Sequence, residues 1–474
     1  MTDKIMRPLR LQINAWNGEV ANGDELPNRS PWAQREQTRP SGKWLAPAAR
    51  ADPRDWRHPD IGWGLVLPDS DALGSAERMN GADAPEPIRR LLAARPGAPV
   101  LRWSMSLGQN FLRRYYADGR VQDLSIAAPK PGVAEGHIPR YLLIYGSPEA
   151  IPWPVQYALN MSTFVGRLDL TNEALDRYVN ALLSDWSATP CQPRAPVVWR
   201  VDHGRDDITW LMARAVAGML WTKLESDTDL TGRFLLRDGE ATRGRLGEAL
   251  AERTPGLIVT TSHGMTGPLG DEALMRAQLG VPVDVARQPL QLSDLGAWKP
   301  SGAIWYAHAC CSAGADSRSR YADLFPTNSP ISRTVNGIAA TAGAVIAPLP
   351  QALLGGEAPL RAFVGHVEPT FDWTLRDPVT QQVLTHVITT ALYDELYQQK
   401  QPGQSFLPTP IGYALRNVFA EAGAFFGAWQ DAIKGIDGNV PGMRDWALYR
   451  QLVASDRQTL VILGDPTVSL PPLM

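Results

Sequence analysis

The sequence predicts an α/β protein in which a mostly parallel β-sheet is sandwiched between layers of helices. Two observations carry this prediction. From Pro196 onward, short apolar runs alternate with stretches whose apolar residues recur at helical spacing. At 474 residues the chain is also long enough for a large core, either as two or three domains or as one elaborated α/β domain. Parallel strands covered by helices on both faces read as continuous apolar runs, and ligands in such sheets bind beyond the carboxyl ends of the strands.

Taken in order, residues 1 to about 135 are polar and scattered with prolines, so 1–60 is expected to wrap irregularly over the surface. A strand is expected at "IGWGLVLP" (Ile61 to Pro68), a helix over "PIRRLLAA", then irregular chain as far as the strand "RYLLIYG" (Arg140 to Gly146). Beyond Pro196 come the strand "PVVWRV" and a helix carrying Ile208, Leu211, Met212, Ala215, Met219 and Leu220. The strand "RFLLRD", a helix over "ATRGRLGEALAER", and the strands "GLIVTTS" and "GAIWYAHA" follow. The longest uncharged stretch, Thr334 to Gly356, is broken by glycines and two prolines. It reads as a helix end, a buried strand and a turn, not as a membrane span.

Composition narrows the function classes. With 44% hydrophobic and 20% charged residues and a net charge of −3, nothing argues for a nucleic-acid or membrane-surface partner. Three cysteines do not make a disulfide framework, which points to a reduced, cytoplasmic setting. The N-terminus "MTDKIMRPLRLQINAW" lacks the apolar core and cleavage site of a secretory signal.

Two strand ends carry candidate chemistry. "LIVTTSHG" ends in His263-Gly264, and "AIWYAHACCSAG" runs into Cys310-Cys311, 47 residues later than His263. A thiol near an imidazole can form a thiolate–imidazolium pair, a strong nucleophile at neutral pH. Glycine after the histidine lets the backbone approach a substrate closely. Other readings compete: "VWRVDHG" offers a second His-Gly at His203, and buried cysteines are often only small hydrophobes. His308, Cys310 and Cys311 lack further ligands at metal-site spacing, and a vicinal disulfide between the two cysteines is strained. His366 and Glu368 in "VGHVE" read as a structural strand end.

Together these motifs resemble the caspase-like cysteine peptidases, the clan of caspases, legumain, gingipains, separase and bacterial CHAT proteins. In caspases the histidine lies about fifty residues upstream of the cysteine. "YLLIYGSPEAIPWPVQYALN" with "FVGRLDL" (Phe164 to Leu170), and "TLVILGDPTVSLPP" near the C-terminus, are similar to gingipain-type segments; "TSHGMTGP", "HACCSAG" and "AFVGHVEP" are similar to segments of bacterial members. The resemblance implies a three-layer α/β/α fold with two similar subdomains. These would be 61–190 without catalytic residues and 191–474 with the catalytic pair, after the wrapping segment 1–60. It also implies a cysteine endopeptidase in which Cys310 is the nucleophile and His263 the general acid, with the Gly264 and Cys310 N–H groups as the oxyanion hole. No cofactor is implied, although some clan members bind calcium. The partner would be a protein substrate, by analogy encoded nearby in a defence or cell-death operon. The Gln-Ala-Cys-x-Gly signature of caspases is absent, so cleavage after aspartate is not implied. Cys310 rather than Cys311 is favoured because it follows a small residue in "ACCSA", as in CHAT-type members. The alternatives are a non-catalytic scaffold or effector-binding protein of the same fold, and another hydrolase or acyltransferase using the same pair.

Overall fold

The computed structural model describes residues 10–18, 23–25, 51–188, 190–397 and 407–473. One twelve-stranded sheet forms its centre. In chain order its strands are β1 (Trp63–Pro68), β2 (Val100–Trp103), β3 (Phe111–Tyr115), β4 (Val121–Ser125), β5 (Tyr141–Tyr145) and β6 (Phe164–Leu168). The second six are β7 (Val197–Arg200), β8 (Phe234–Arg237), β9 (Leu257–Thr261), β10 (Ile304–His308), β11 (Ala362–His366) and β12 (Leu460–Gly464). Across the sheet they run β8-β7-β9-β10-β11-β12-β6-β5-β1-β2-β3-β4.

The sheet is therefore two halves joined edge to edge. In the C-terminal half, β7 to β11 are parallel and β12 is antiparallel to β11, so the strands stand in the order second, first, third, fourth, fifth, sixth. In the N-terminal half, β1, β2, β5 and β6 are parallel in the order second, first, third, fourth, with the β3–β4 hairpin extending the edge. The halves meet where β12 lies parallel to β6, with Ile462 opposite Gly166. Glycine is needed there, because a Cβ at 166 would collide with the Gly464 carbonyl oxygen.

Why these segments are strands follows from their burial. Every residue of β9, β10, β11 and β12 is buried, as expected of strands covered on both faces. The helix Arg243–Arg253 between β8 and β9 starts at Thr242, whose side chain accepts the Arg245 N–H.

Several expectations are corrected. The chain before β5 is not irregular: it holds β2, β3 and β4. These were missed because an antiparallel edge hairpin keeps one face in water, and β4 reads "VQDLS" with four of five residues exposed. β2 carries Arg102, whose buried guanidinium pairs with Asp83 at 2.6 Å. In Thr334–Gly356, read as a helix end, a buried strand and a turn, the last part holds the helix Pro348–Leu354, started by proline at its first position. The strand before it, Val345–Ile346, is short and half-buried rather than buried. Within 1–60, residues 1–9, 19–22 and 26–50 lie outside the described residues. The remainder includes an antiparallel pair, Arg10–Gln12 with Gly23–Glu25, and the short strand Ala15–Trp16. Among the described residues no helix is long and apolar enough to cross a membrane.

Candidate active site at two adjacent strand ends

β9 and β10 are neighbours in parallel register, with Thr261 opposite His308. Their carboxyl ends therefore bring Ser262-His263-Gly264 beside Ala309-Cys310-Cys311. Gly264 permits this approach, because a Cβ there would strike the Cys310 carbonyl oxygen. Both His263 and Cys310 are 0% exposed.

His263 is fixed on all sides. Its Nε2 lies 2.9 and 3.0 Å from the two carboxylate oxygens of Asp207, and its Nδ1 lies 3.3 Å from the Asn14 carbonyl oxygen. Both partners are acceptors, and the Nε2–H donated to Asp207 leaves Nδ1 as the ring nitrogen that faces the Asn14 carbonyl. The ring is stacked on His203 at 5.5 Å and 12°, with Trp16 tilted against it at 5.5 Å. Asp207 is also the N-cap of the helix Ile208–Met212 and accepts from the Thr209 N–H and hydroxyl. Burial pushes its carboxyl pKa up, but the hydrogen bonds from His263 and Thr209 and the histidine's charge outweigh burial and hold the group well below the usual range.

Cys310 lies in a tight turn two residues beyond the end of β10. Gly314 N–H donates to the Cys311 carbonyl at 3.0 Å, and Cys311 sits at φ +55°, a conformation that costs a non-glycine residue on the order of 1 kcal/mol. The Cys310 sulfur accepts the Thr370 N–H at 3.2 Å. Burial pushes this thiol far up, while the Thr370 and Asn14 backbone amides pull the other way. Both cysteines border an apolar cluster with Leu11, Ile13, Met275, Leu279 and Tyr321, and burial raises the Cys311 thiol as well. Among the described residues Cys310 is the one of the two whose sulfur meets a backbone amide, and no hydrogen bond joins that sulfur to His263.

The space between the strand ends is filled by the chain's own residues 12–16. Asn14 N–H donates to the Thr370 carbonyl at 3.0 Å, Ile13 bridges Phe371 in antiparallel sense, and the Gln12 N–H donates to Asp372 at 3.2 Å. Ala15–Trp16 then runs parallel to Gly264–Met265, with the Thr266 N–H on the Trp16 carbonyl at 2.7 Å. Carried two residues back, that ladder sets the Gly264 N–H opposite the Asn14 carbonyl.

The other sequence candidates stand elsewhere. His308 accepts or donates through Nδ1 to the Tyr306 hydroxyl at 2.8 Å and meets His366 edge-on at 5.0 Å. Burial drives the His308 pKa down to about 3, so it is neutral. Glu368 accepts from the Ser319 hydroxyl and the Arg320 N–H, fastening that loop to the end of β11. His203 donates Nε2–H to the Asp284 carbonyl at 2.9 Å, and its Nδ1 lies 3.9 Å from Asp207. His203, Asp207 and His263 offer ligand atoms within 4.8 Å of one another, the one such group among the described residues. His308, Cys310 and Cys311 do not form one. Against a cation at the His-Asp group stands Arg287, whose guanidinium is 4.0 Å from Asp207.

Sequence reasoning missed Asp207, Asn14 and Thr370. Asp207 was signalled only as a helix start, Asp-Ile-Thr, which says nothing about a histidine 56 residues away. No family model, no curated protein and no solved structure matches the chain.

Proposed function

We propose that the protein is a cysteine-type endopeptidase of caspase-like architecture. One observation carries this: an extended stretch of peptide lies across both strand ends, with one carbonyl facing His263 Nδ1 and the Gly264 N–H beside Cys310. A substrate's scissile bond would have to lie in this position, and that supports the peptidase reading. The strand order of the C-terminal half, with its antiparallel last strand, supports the caspase-like reading, and the N-terminal half suits the partner subdomain.

In this reading Cys310 adds to the scissile carbonyl as its proton passes to His263, and Asp207 stabilises the resulting imidazolium. The N–H groups of Gly264 and Cys310 receive the oxyanion, each contributing ~3 kcal/mol of transition-state stabilisation. His263 protonates the leaving amine, and water hydrolyses the thioester. The substrate is a protein. Three free cysteines suit a reducing, cytoplasmic location. The complete burial of His263 and Cys310 is the observation that favours the rival, a non-catalytic scaffold of the same fold. The test is incubation with a proteome-derived peptide library under reducing conditions and mapping of new N-termini by mass spectrometry. New termini with wild type and none with Cys310→Ala are expected; identical maps from both leave the scaffold.

A further inference from the structure

We infer that the site's first substrate is the chain itself: it cuts the Asn14–Ala15 bond, and it takes peptides with asparagine on the acyl side of the scissile bond. The inference rests on the peptidase reading and adds the bond and the residue.

Residues on the two sides of this bond are held differently, as a substrate threaded through a cleft would be. On the acyl side, Ile13 and Asn14 pair antiparallel with Thr370 and Phe371, and Gln12 is held by Asp372. On the amine side, Ala15 and Trp16 pair parallel with Gly264 and Met265, and Trp16 packs against the His263 ring. The carbonyl at the change-over belongs to Asn14, and it is the one that meets His263 at 3.3 Å.

The asparagine side chain is read as well. It is 0% exposed, and its Nδ2 donates to the Ser262 carbonyl at 2.9 Å. Ser262 directly precedes His263, so recognition of this amide and placement of the histidine share one segment of backbone. A carbonyl oxygen accepts from an amide and repels a carboxylate, so the pocket favours asparagine over aspartate. Hydrophobic contacts of Leu11 and Ile13 with the cluster around Cys310 hold the segment from the acyl side.

The chemistry balances with water as the only co-reactant. Cys310 Sγ bonds to the Asn14 carbonyl carbon as its proton passes to His263. The carbon–nitrogen bond to Ala15 breaks, and His263 returns the proton to the amine. Water then cleaves the thioester, leaving an Asn14 carboxylate, an Ala15 amine and the free thiol. Until that cut is made, residues 12–16 shut other peptides out.

The experiment uses full-length wild type, Cys310→Ala and Asn14→Asp, incubated with reductant and followed by intact mass and N-terminal sequencing. Expected are a new N-terminus at Ala15 in wild type, none in Cys310→Ala, and a cut slowed about 100-fold or more in Asn14→Asp, each variant being checked for native circular dichroism. The acetylated tetrapeptide of residues 11–14 carrying a coumarin amide is expected to be hydrolysed by the self-cut protein. Wild type that stays intact, is cut only elsewhere, or is cut equally fast as Asn14→Asp overturns the inference. Ile13→Glu, which loosens the segment, separates the two claims. Cysteine-dependent cleavage of library peptides after residues other than asparagine leaves the peptidase reading standing without the inference, and no cleavage of any peptide removes both.

Discussion

The two halves of the sheet begin with the same strand order but end their third and fourth strands differently. In the C-terminal half, β9 and β10 run into His263 and Cys310; in the N-terminal half, β5 and β6 run into Gly146 and Asp169. The N-terminal loop is closed by a buried arginine. Arg167 on β6 donates to Gln156 and to the Gly146 and Ile151 carbonyls at 2.8 to 3.0 Å, and stacks on Trp153. Trp153 in turn donates to the Ala315 carbonyl at 2.8 Å, bracing the loop that follows Cys310. One half thus spends its strand-end polar groups on its own loop, while in the other they meet the distant segment of residues 12–16. Strand order alone does not make a site; the groups presented at the strand ends decide it.

The sharpest way to break this contrast is at the histidines. His263→Ala is expected to lower kcat/KM by about 1,000-fold or more, and Asp207→Asn by roughly 100-fold to 10,000-fold through loss of the held imidazolium. His203→Ala, which removes a stacked neighbour and its hydrogen bond to the Asp284 carbonyl, is expected to cost under about tenfold. Steady-state kinetics on one peptide ranks all three, and an inactive His203→Ala beside an active His263→Ala would exchange their roles.

Next in size is the structural half. Arg167→Ala takes the donor from two buried acceptors and one half-buried one and is expected to reduce stability by about 3 kcal/mol or more in urea titration. The kcat of the molecules that remain folded is expected to hold. If kcat collapses at unchanged stability, the N-terminal half takes part in the chemistry and the contrast fails.

A smaller effect lies in pH. Burial raises the Glu368 carboxyl from 4.5 to about 7. For a carboxyl raised on folding, stability is fully present below the unfolded pKa and declines as pH rises towards the folded value, with a slope up to about 1.4 kcal/mol per pH unit. Denaturation between pH 4.5 and 7 is expected to show this decline in wild type and to lose it in Glu368→Gln; parallel curves would reject the assignment.

The smallest expected effect is that of chelation. EDTA is expected to change activity by less than about twofold, because the thiol–imidazole pair needs no Lewis acid. Loss of activity that zinc restores would reassign His203, Asp207 and His263 as metal ligands. Restoration by calcium alone would point to a structural ion and leave the pair in place.

Periodicity in the sequence was enough to place β9 and β10 and to bring His263 and Cys310 to their ends, since a strand buried on both faces must be apolar throughout. It was enough for the glycine after the histidine too. The β3–β4 hairpin escaped because an exposed edge needs no such run. Two adjacent cysteines could not be told apart, because alternation along a strand separates their faces without saying which one meets Thr370. Asp207, Thr370 and Asn14 lie 56, 60 and 249 residues from the groups they contact. Spacing along the chain fixes local structure through backbone hydrogen bonds and side-chain periodicity. Which distant carboxylate, amide or carbonyl fills a strand end is decided only when the layers pack.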